Sequence, residues 1–96
     1  MLVHAFTTEK YLREVTLPSI ENGLARAGRA RSELELCYPA FIVTGHDERE
    51  WEAMRQATAK QIGFYGSTPA YRGVLEVHGW GDLQSELNTL SKRGEW

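Results

Sequence analysis

The stretch LELCYPAFIV, residues 34–43, predicts the clearest β-strand in the chain. Its second half, from Cys37 to Val43, is almost continuously apolar, which is typical of a strand covered on both faces in a parallel sheet. Pro39 has no N–H group to donate to a ladder, so we expect a bulge or a gap in pairing there. The stretch therefore predicts a parallel sheet, with Cys37 as a small buried apolar residue.

The residues before this stretch predict a strand followed by a helix. Residues 2–6, LVHAF, form a short apolar run typical of a strand end, and Thr7 or Thr8 then provides a helix N-cap. Apolar residues recur at helical spacing, with a kink or a new helix start expected at Pro18. Gly28 is expected to end this helix in the left-handed conformation.

The residues after the stretch predict three helices. Asp47 and Glu50 form a capping box, and Pro69 is expected in the first turn of the second helix. The glycines on either side of Trp80 break that helix, and Asp82 is expected to cap the last one. One narrow face of the first helix, with most charges elsewhere, is made by Trp51, Met54, Thr58, Ile62 and Tyr65.

The predicted order is strand, helix, strand, helix, helix, helix. Two strands joined by a helix run parallel, and two such strands alone leave backbone groups unpaired. We therefore expect an α/β fold whose sheet needs neighbouring strands from further chain or from another copy. Residues 1–96 are expected to form a single partial domain.

Composition narrows the classes of function. The formal net charge is −2 with charges of both signs interspersed, so no nucleic-acid partner is expected. One cysteine leaves no intramolecular disulfide and favours a reducing compartment. There is no apolar run of membrane-spanning length and no secretory signal, so we expect no membrane partner and a cytoplasmic location.

Candidate site residues follow from position and chemistry. His4, Phe6 and Thr7 lie where a strand gives way to a helix, and each is either a ligand contact or a packing or capping residue. The start of a helix after Ser67, with Arg72 one turn later, either holds an anion or simply begins a helix. An aromatic cluster, made by Tyr65, Tyr71, His78 and Trp80, either lines a pocket or packs in the core. The histidine and cysteine spacing predicts no metal site.

Several segments together resemble the late region of the luciferase-like monooxygenase family, most closely its branch that uses the deazaflavin coenzyme F-420. The resemblance covers essentially the whole chain. It is carried by HAFTT (4–8), YLRE (11–14), LP (17–18), GLARAG (23–28), YPAFIVTG (38–45), FYGSTPAYR (64–72) and HGWGDL (78–83).

The resemblance implies a partial (β/α)8 TIM barrel from an oxidoreductase that acts on a small organic substrate. It implies coenzyme F-420, or alternatively FMN, at the barrel mouth, and a homo-oligomer. The early strands, which provide most cofactor contacts in such enzymes, are absent, so the isolated fragment is expected to be inactive. A self-associating non-catalytic α/β module and a small-ligand binding module stay open as alternatives. No catalytic residue is assigned, and the residues carried over as cofactor or substrate contacts are His4, Phe6, Thr7, Tyr65, Ser67 and Arg72.

Overall fold

A computed structural model describes residues 1–95. Across these residues the chain is helical and contains no strand and no sheet, so the predicted α/β fold, a partial (β/α)8 TIM barrel, is wrong. The chain divides into two compact units. Unit 1 is Met1–Pro39, and unit 2 begins at Ala40.

The helical part of unit 1 begins where the sequence predicts. Thr8 Oγ1 accepts a hydrogen bond from the Tyr11 N–H at 3.2 Å and caps α1, Glu9–Tyr11. A π-helical turn, Leu12–Thr16, follows and leads into α2, Leu17–Arg26. Pro18 is the second residue of α2 and follows the π-helical turn directly, and Thr16 and Leu17 before it both keep right-handed helical dihedral angles. The helix therefore continues from Glu9 to Arg26 without a new start at Pro18, and that alternative of the prediction is wrong.

Gly28 ends this helix as the sequence predicts. Its φ of 66° is the left-handed conformation, which glycine adopts without steric cost. The Arg29 N–H donates to the Leu24 carbonyl at 2.9 Å and so satisfies one of the last carbonyls of the helix. A short 3-10 turn, Arg31–Glu33, follows.

The two predicted strands are reduced to one isolated parallel bridge between Leu2 and Cys37. The Val3 N–H donates to the Cys37 carbonyl and the Cys37 N–H to the Met1 carbonyl, both at 2.9 Å. A β-ladder needs a partner along its whole length, and here the pairing does not continue into Tyr38 and beyond. Cys37 is exposed, so its predicted burial is wrong as well.

Unit 2 begins with an irregular segment and a long helix, α3, Glu48–Ser67. Asp47 Oδ1 accepts the Glu50 N–H at 2.8 Å, and Glu50 Oε2 accepts the His46 N–H at 3.0 Å. The predicted capping box is therefore confirmed, with the glutamate reaching one residue further back than in the usual arrangement.

Further helical segments follow in the described part of unit 2: a 3-10 turn, Pro69–Tyr71, then α4, Arg72–Glu76, and α5, Gly81–Arg93. The break between α4 and α5 is confirmed, because Gly79 has a φ of 75°. The expected cap at Asp82 is wrong. It lies inside the first turn of α5, and no side chain caps that helix.

The core of unit 2 lies where α3 and α5 pack together with α4. Its buried apolar residues are Val74 and Leu75, and its buried polar residues are Ser67 and Gln84. None of the helices in residues 1–95 is both long enough and apolar enough to cross a membrane.

Candidate functional site

The predicted site residues of unit 1 lie in the turn that precedes α1. His4 Nδ1 accepts the Phe6 N–H at 3.0 Å, which places the proton of a neutral ring on Nε2. The Thr7 N–H donates to the Ala5 carbonyl at 3.0 Å, so the chain turns tightly here. Phe6 is only 9% exposed, whereas His4 is exposed. His4 therefore shapes the turn, and Phe6 packs in it.

The Thr7 hydroxyl is the unusual atom of this turn. Its Oγ1 is buried and has no hydrogen-bond partner among residues 1–95. Leaving a buried hydroxyl unsatisfied costs roughly 1–3 kcal/mol. Since Thr8 rather than Thr7 caps α1, Thr7 keeps a polar group that a ligand or a further stretch of polypeptide could satisfy.

Tyr65 lies at the centre of an aromatic cluster in unit 2. Its ring centroid is 6.2 Å from that of Phe41, 5.6 Å from Phe64 and 6.0 Å from Tyr71. The contacts with Phe64 and Tyr71 are edge-to-face, an arrangement that stabilises aromatic pairs in protein cores. The Tyr65 ring therefore packs the end of α3 against Phe41 and Tyr71.

Ser67 is a buried connection between α3 and α5. Its hydroxyl donates to the Phe64 carbonyl at 2.6 Å. Its own carbonyl accepts from Gln84 Nε2 at 2.9 Å and from Asn88 Nδ2 at 3.0 Å. Both the hydroxyl and the carbonyl are thus occupied by the protein itself.

The Arg72 guanidinium is surrounded by partners from its own unit. Nε donates to Glu76 Oε1 at 2.9 Å, and Nη1 donates to Ser85 Oγ at 2.9 Å and to Gln84 Oε1 at 3.3 Å. Nη2 lies 3.6 Å from Asp82 Oδ1. With two carboxylates beside it, the cation has little capacity left for a further anion.

Gly81 makes room for this network. A Cβ at position 81 would lie 3.0 Å from the Glu76 Cγ and 3.2 Å from Arg72 Nη2. Ser67 and Arg72, the predicted anion site, therefore hold the end of α3 and the α4–α5 connection together through hydrogen bonds.

These observations decide whether the candidate residues fit the cofactor that the resemblance implies. The three in unit 2 are occupied by intramolecular contacts, and of the three in unit 1 only Thr7 keeps an unpartnered side-chain polar atom among the described residues. One hydroxyl does not make a cradle for a flavin or deazaflavin. The residues present here do not fit such a group.

A concavity at the start of α3 was not predicted from the sequence. It is open to solvent, has a volume of about 550 Å³ and is lined by Thr44, Gly45, His46, Glu50, Ala53 and Met54. Gly45 is required because a side chain there would overlap the backbone nitrogen of Trp51. The His46 N–H donates to Glu50 and the Glu50 N–H donates to Asp47, and these two carboxylates at the start of α3 disfavour an anion there.

Two polar residues of α5, Gln84 and Asn88, also escaped sequence reasoning. Their spacing of four residues places both side chains on one face of a helix. This spacing is the sequence feature that could have indicated a shared role. In the part of the chain that the structure describes, no group of three or more histidine, cysteine, aspartate or glutamate residues could hold a metal ion.

Comparison with known proteins finds relatives in mycobacteria. The chain is 55% identical over 95 residues to the uncharacterized protein Rv1360 of Mycobacterium tuberculosis and to the uncharacterized protein Mb1395 of Mycobacterium bovis. The match covers 99% of this chain and 28% of each relative, so the chain spans little more than a quarter of their length. No family model matches the chain. No solved structure matches it either.

Proposed function

We propose that this chain is a non-catalytic segment of a larger oxidoreductase of the luciferase-like family, which uses coenzyme F-420 or FMN and acts on a small organic substrate. The resemblance of residues 64–72 and 78–83 to that family supports the proposal. So does the length of the mycobacterial relatives, of which the match occupies 28%. A cytoplasmic location belongs to the proposal, supported by the single cysteine.

The observation that carries the proposal is how much apolar surface the chain leaves uncovered. Leu2 is 72% exposed, Ile42 is 70% exposed and Phe64 is 54% exposed. Apolar exposure on this scale is typical of a surface that other polypeptide covers. The chain therefore has the properties expected of a segment, and the remaining chain of a larger enzyme would supply both the cover and the cofactor site.

When bound, a flavin or deazaflavin supplies hydride chemistry, and the protein supplies position and electrostatics. In this chain Ser67 and Arg72 hold helices together, and His4 shapes a turn. Their proposed role is to support the enzyme structurally. Thr7 is the residue we expect to gain a hydrogen-bond partner in the larger protein, because its buried hydroxyl has none among residues 1–95.

Cofactor binding tests the proposal in two arms. Fluorescence titration of the isolated chain with F-420, and separately with FMN, is expected to show no binding at high micromolar protein. A chimera, in which this chain replaces the matching segment of the Mycobacterium tuberculosis relative, is expected to bind one of the two cofactors as that relative does. If neither the relative nor the chimera binds F-420 or FMN, the oxidoreductase proposal is wrong. Tight binding by the isolated chain would contradict its inactivity.

A second candidate is a non-catalytic module that associates with itself. It is favoured by the exposed apolar side chains of α3, among them Trp51 at 46% and Met54 at 43%. A chimera that binds no cofactor, together with a stable oligomer of the isolated chain, would select this function over the first.

A further inference from the structure

The inference concerns the π-helical turn, Leu12–Thr16, in the long helix of unit 1. The Leu12 N–H donates to the Thr8 carbonyl, four residues back, whereas the Leu17 N–H donates to the Leu12 carbonyl, five residues back. A turn closed by the longer bond contains one residue more than a turn of α-helix. The helix that joins α1 to α2 therefore carries one extra residue in its middle.

Pro18 lies just after this turn and gives one reason for it. The ring of a proline inside a regular α-helix collides with the carbonyl four residues before it, which here is that of Glu14, and proline has no N–H to donate to that carbonyl. Thr16 and Leu17 nevertheless keep right-handed helical dihedral angles. The wider turn thus accommodates Pro18 without ending the helix.

The apolar residues on the two sides of the turn give a second reason. Tyr11 and Leu12 lie at its start, and Ile20 and Leu24 follow it. At about 100° of rotation per residue, an uninterrupted α-helix would spread these four residues over an arc of about 220°. One extra residue turns the second pair back by about 100° and narrows the arc to about 120°. All four residues then lie on one side of the helix.

The exposure of the side chains agrees with the narrower arc. Leu24 is only 8% exposed, and Tyr11, Leu12 and Ile20 are half-buried. On an uninterrupted α-helix the exposed Arg26 would project between Tyr11 and Leu12. The residues that the extra residue places on the opposite side are all exposed: Arg13, Glu14, Pro18, Glu21, Asn22 and Ala25.

We propose that the π-helical turn sets the register of α2. Its extra residue turns α2 so that the apolar residues before and after Pro18 pack on the same side of unit 1, and a helix with one residue fewer at this place needs no π turn. This inference concerns the conformation of unit 1 and does not depend on the proposed cofactor chemistry.

Deletion of single residues from the full chain tests the residue count directly. The deletions are made in a Pro18→Ala background, so that no proline enters a regular helix. Removal of the exposed Glu14 should convert the π turn into α-helix and keep the four apolar residues on one side. Amide hydrogen exchange, followed by NMR, reads unit 1 separately from unit 2. The protection of the Ile20 and Leu24 amides should change by less than about threefold.

Removal of Glu21 is the matched control, because it takes the same exposed side chain from the same helix. It leaves the extra residue in the π turn and rotates Leu24 by about 100° away from its buried position. Protection of the Ile20 and Leu24 amides should therefore fall at least about tenfold relative to the Pro18→Ala parent.

A second measurement separates the two reasons for the turn. NMR couplings across hydrogen bonds identify the carbonyl to which the Leu17 N–H donates. In Pro18→Ala this carbonyl should still be that of Leu12, because a change to Arg13 would rotate Ile20 and Leu24 away from their packing. In the chain that also lacks Glu14 the same two residues should stay bonded, now four positions apart.

Each outcome decides the proposal. It is supported if protection survives the loss of Glu14 and falls with the loss of Glu21, while Leu17 stays bonded to Leu12 in Pro18→Ala. Equal changes of protection in the two deletions overturn it, as does an unprotected helix in the Pro18→Ala parent. A Leu17 N–H that donates to Arg13 in Pro18→Ala also overturns it, since the turn would then serve only to accommodate the proline.

Discussion

The carbonyl of Ser67 is the point where α3 is joined to α5, and removing its two donors tests how this joint stabilises unit 2. Gln84 Nε2 donates to it at 2.9 Å and Asn88 Nδ2 at 3.0 Å. Ser67 ends α3, so its carbonyl has no acceptor role within the helix and depends on these side chains. Since Ser67 is 7% exposed and Gln84 is 6% exposed, water has little access to replace them.

The expected loss of free energy of unfolding depends on which hydrogen-bond donors the Ser67 carbonyl keeps in each variant. Asn88→Ala should reduce the free energy of unfolding by about 1 kcal/mol, because the carbonyl keeps the Gln84 donor. Gln84→Ala should cost about 1–2 kcal/mol, since it also removes an acceptor of Arg72 Nη1. The double variant leaves a buried carbonyl with neither donor, which adds a penalty of roughly 1–3 kcal/mol beyond the sum of the single effects.

The assay is urea unfolding followed by circular dichroism, with all variants at one protein concentration so that any association contributes equally. Glu86→Ala, an exposed position on the same helix, serves as the control and should change the free energy by less than about 0.5 kcal/mol. If the double variant loses no more than the sum of the two single losses, the carbonyl is not held in the way described, and the reasoning is refuted.

Two further predictions concern a charge and the backbone. The Arg55 side chain, which hydrogen-bonds Glu52, lowers the pKa of that carboxyl to about 2, so the contribution of the pair to stability is present above the ordinary glutamate pKa and is lost as pH falls toward 2. NMR titration should show this low pKa in the wild type and a value closer to the ordinary one in Arg55→Leu; an ordinary pKa in both would contradict it. Gly79→Ala should lower the midpoint of thermal unfolding, because a φ of 75° costs an L-residue about 1–2 kcal/mol. Gly23→Ala should raise it, since the helical position has open space for a Cβ and alanine favours a helix by about 1 kcal/mol; equal shifts in both variants would show that backbone conformation is not the cause.

Much of the local structure could be predicted from short stretches of sequence. Thr8, Gly28 and Gly79 each start or end a helix as expected, and Asp47 with Glu50 forms the expected box. These signals succeed because the groups that interact are within a few residues of one another. The prediction that Asp82 caps α5 is wrong because the helix begins one residue before it.

The candidate site could be predicted only as a set of residue types. The aromatic contact between Tyr65 and Tyr71 follows from their proximity in sequence. The occupation of Arg72 by Ser85 and Gln84 does not, because it depends on a contact 12 or 13 residues away that brings α5 beside α4. Whether a cation is available to a ligand is decided by such partners, and the sequence alone does not reveal them.

The sequence by itself determined the helix ends that are set by local caps and glycines, at Thr8, Gly28, Asp47 and Gly79, since capping and turn formation depend on neighbouring residues. Only the tertiary structure decided that the apolar stretch from Leu34 to Val43 forms no strand and that Trp51 and Met54 on α3 stay exposed. A β-ladder and a buried helix face each need a second surface from elsewhere in the chain. Among the described residues, Leu2 provides a partner for a single bridge, to Cys37, and the rest of the stretch from Leu34 to Val43 has no strand partner.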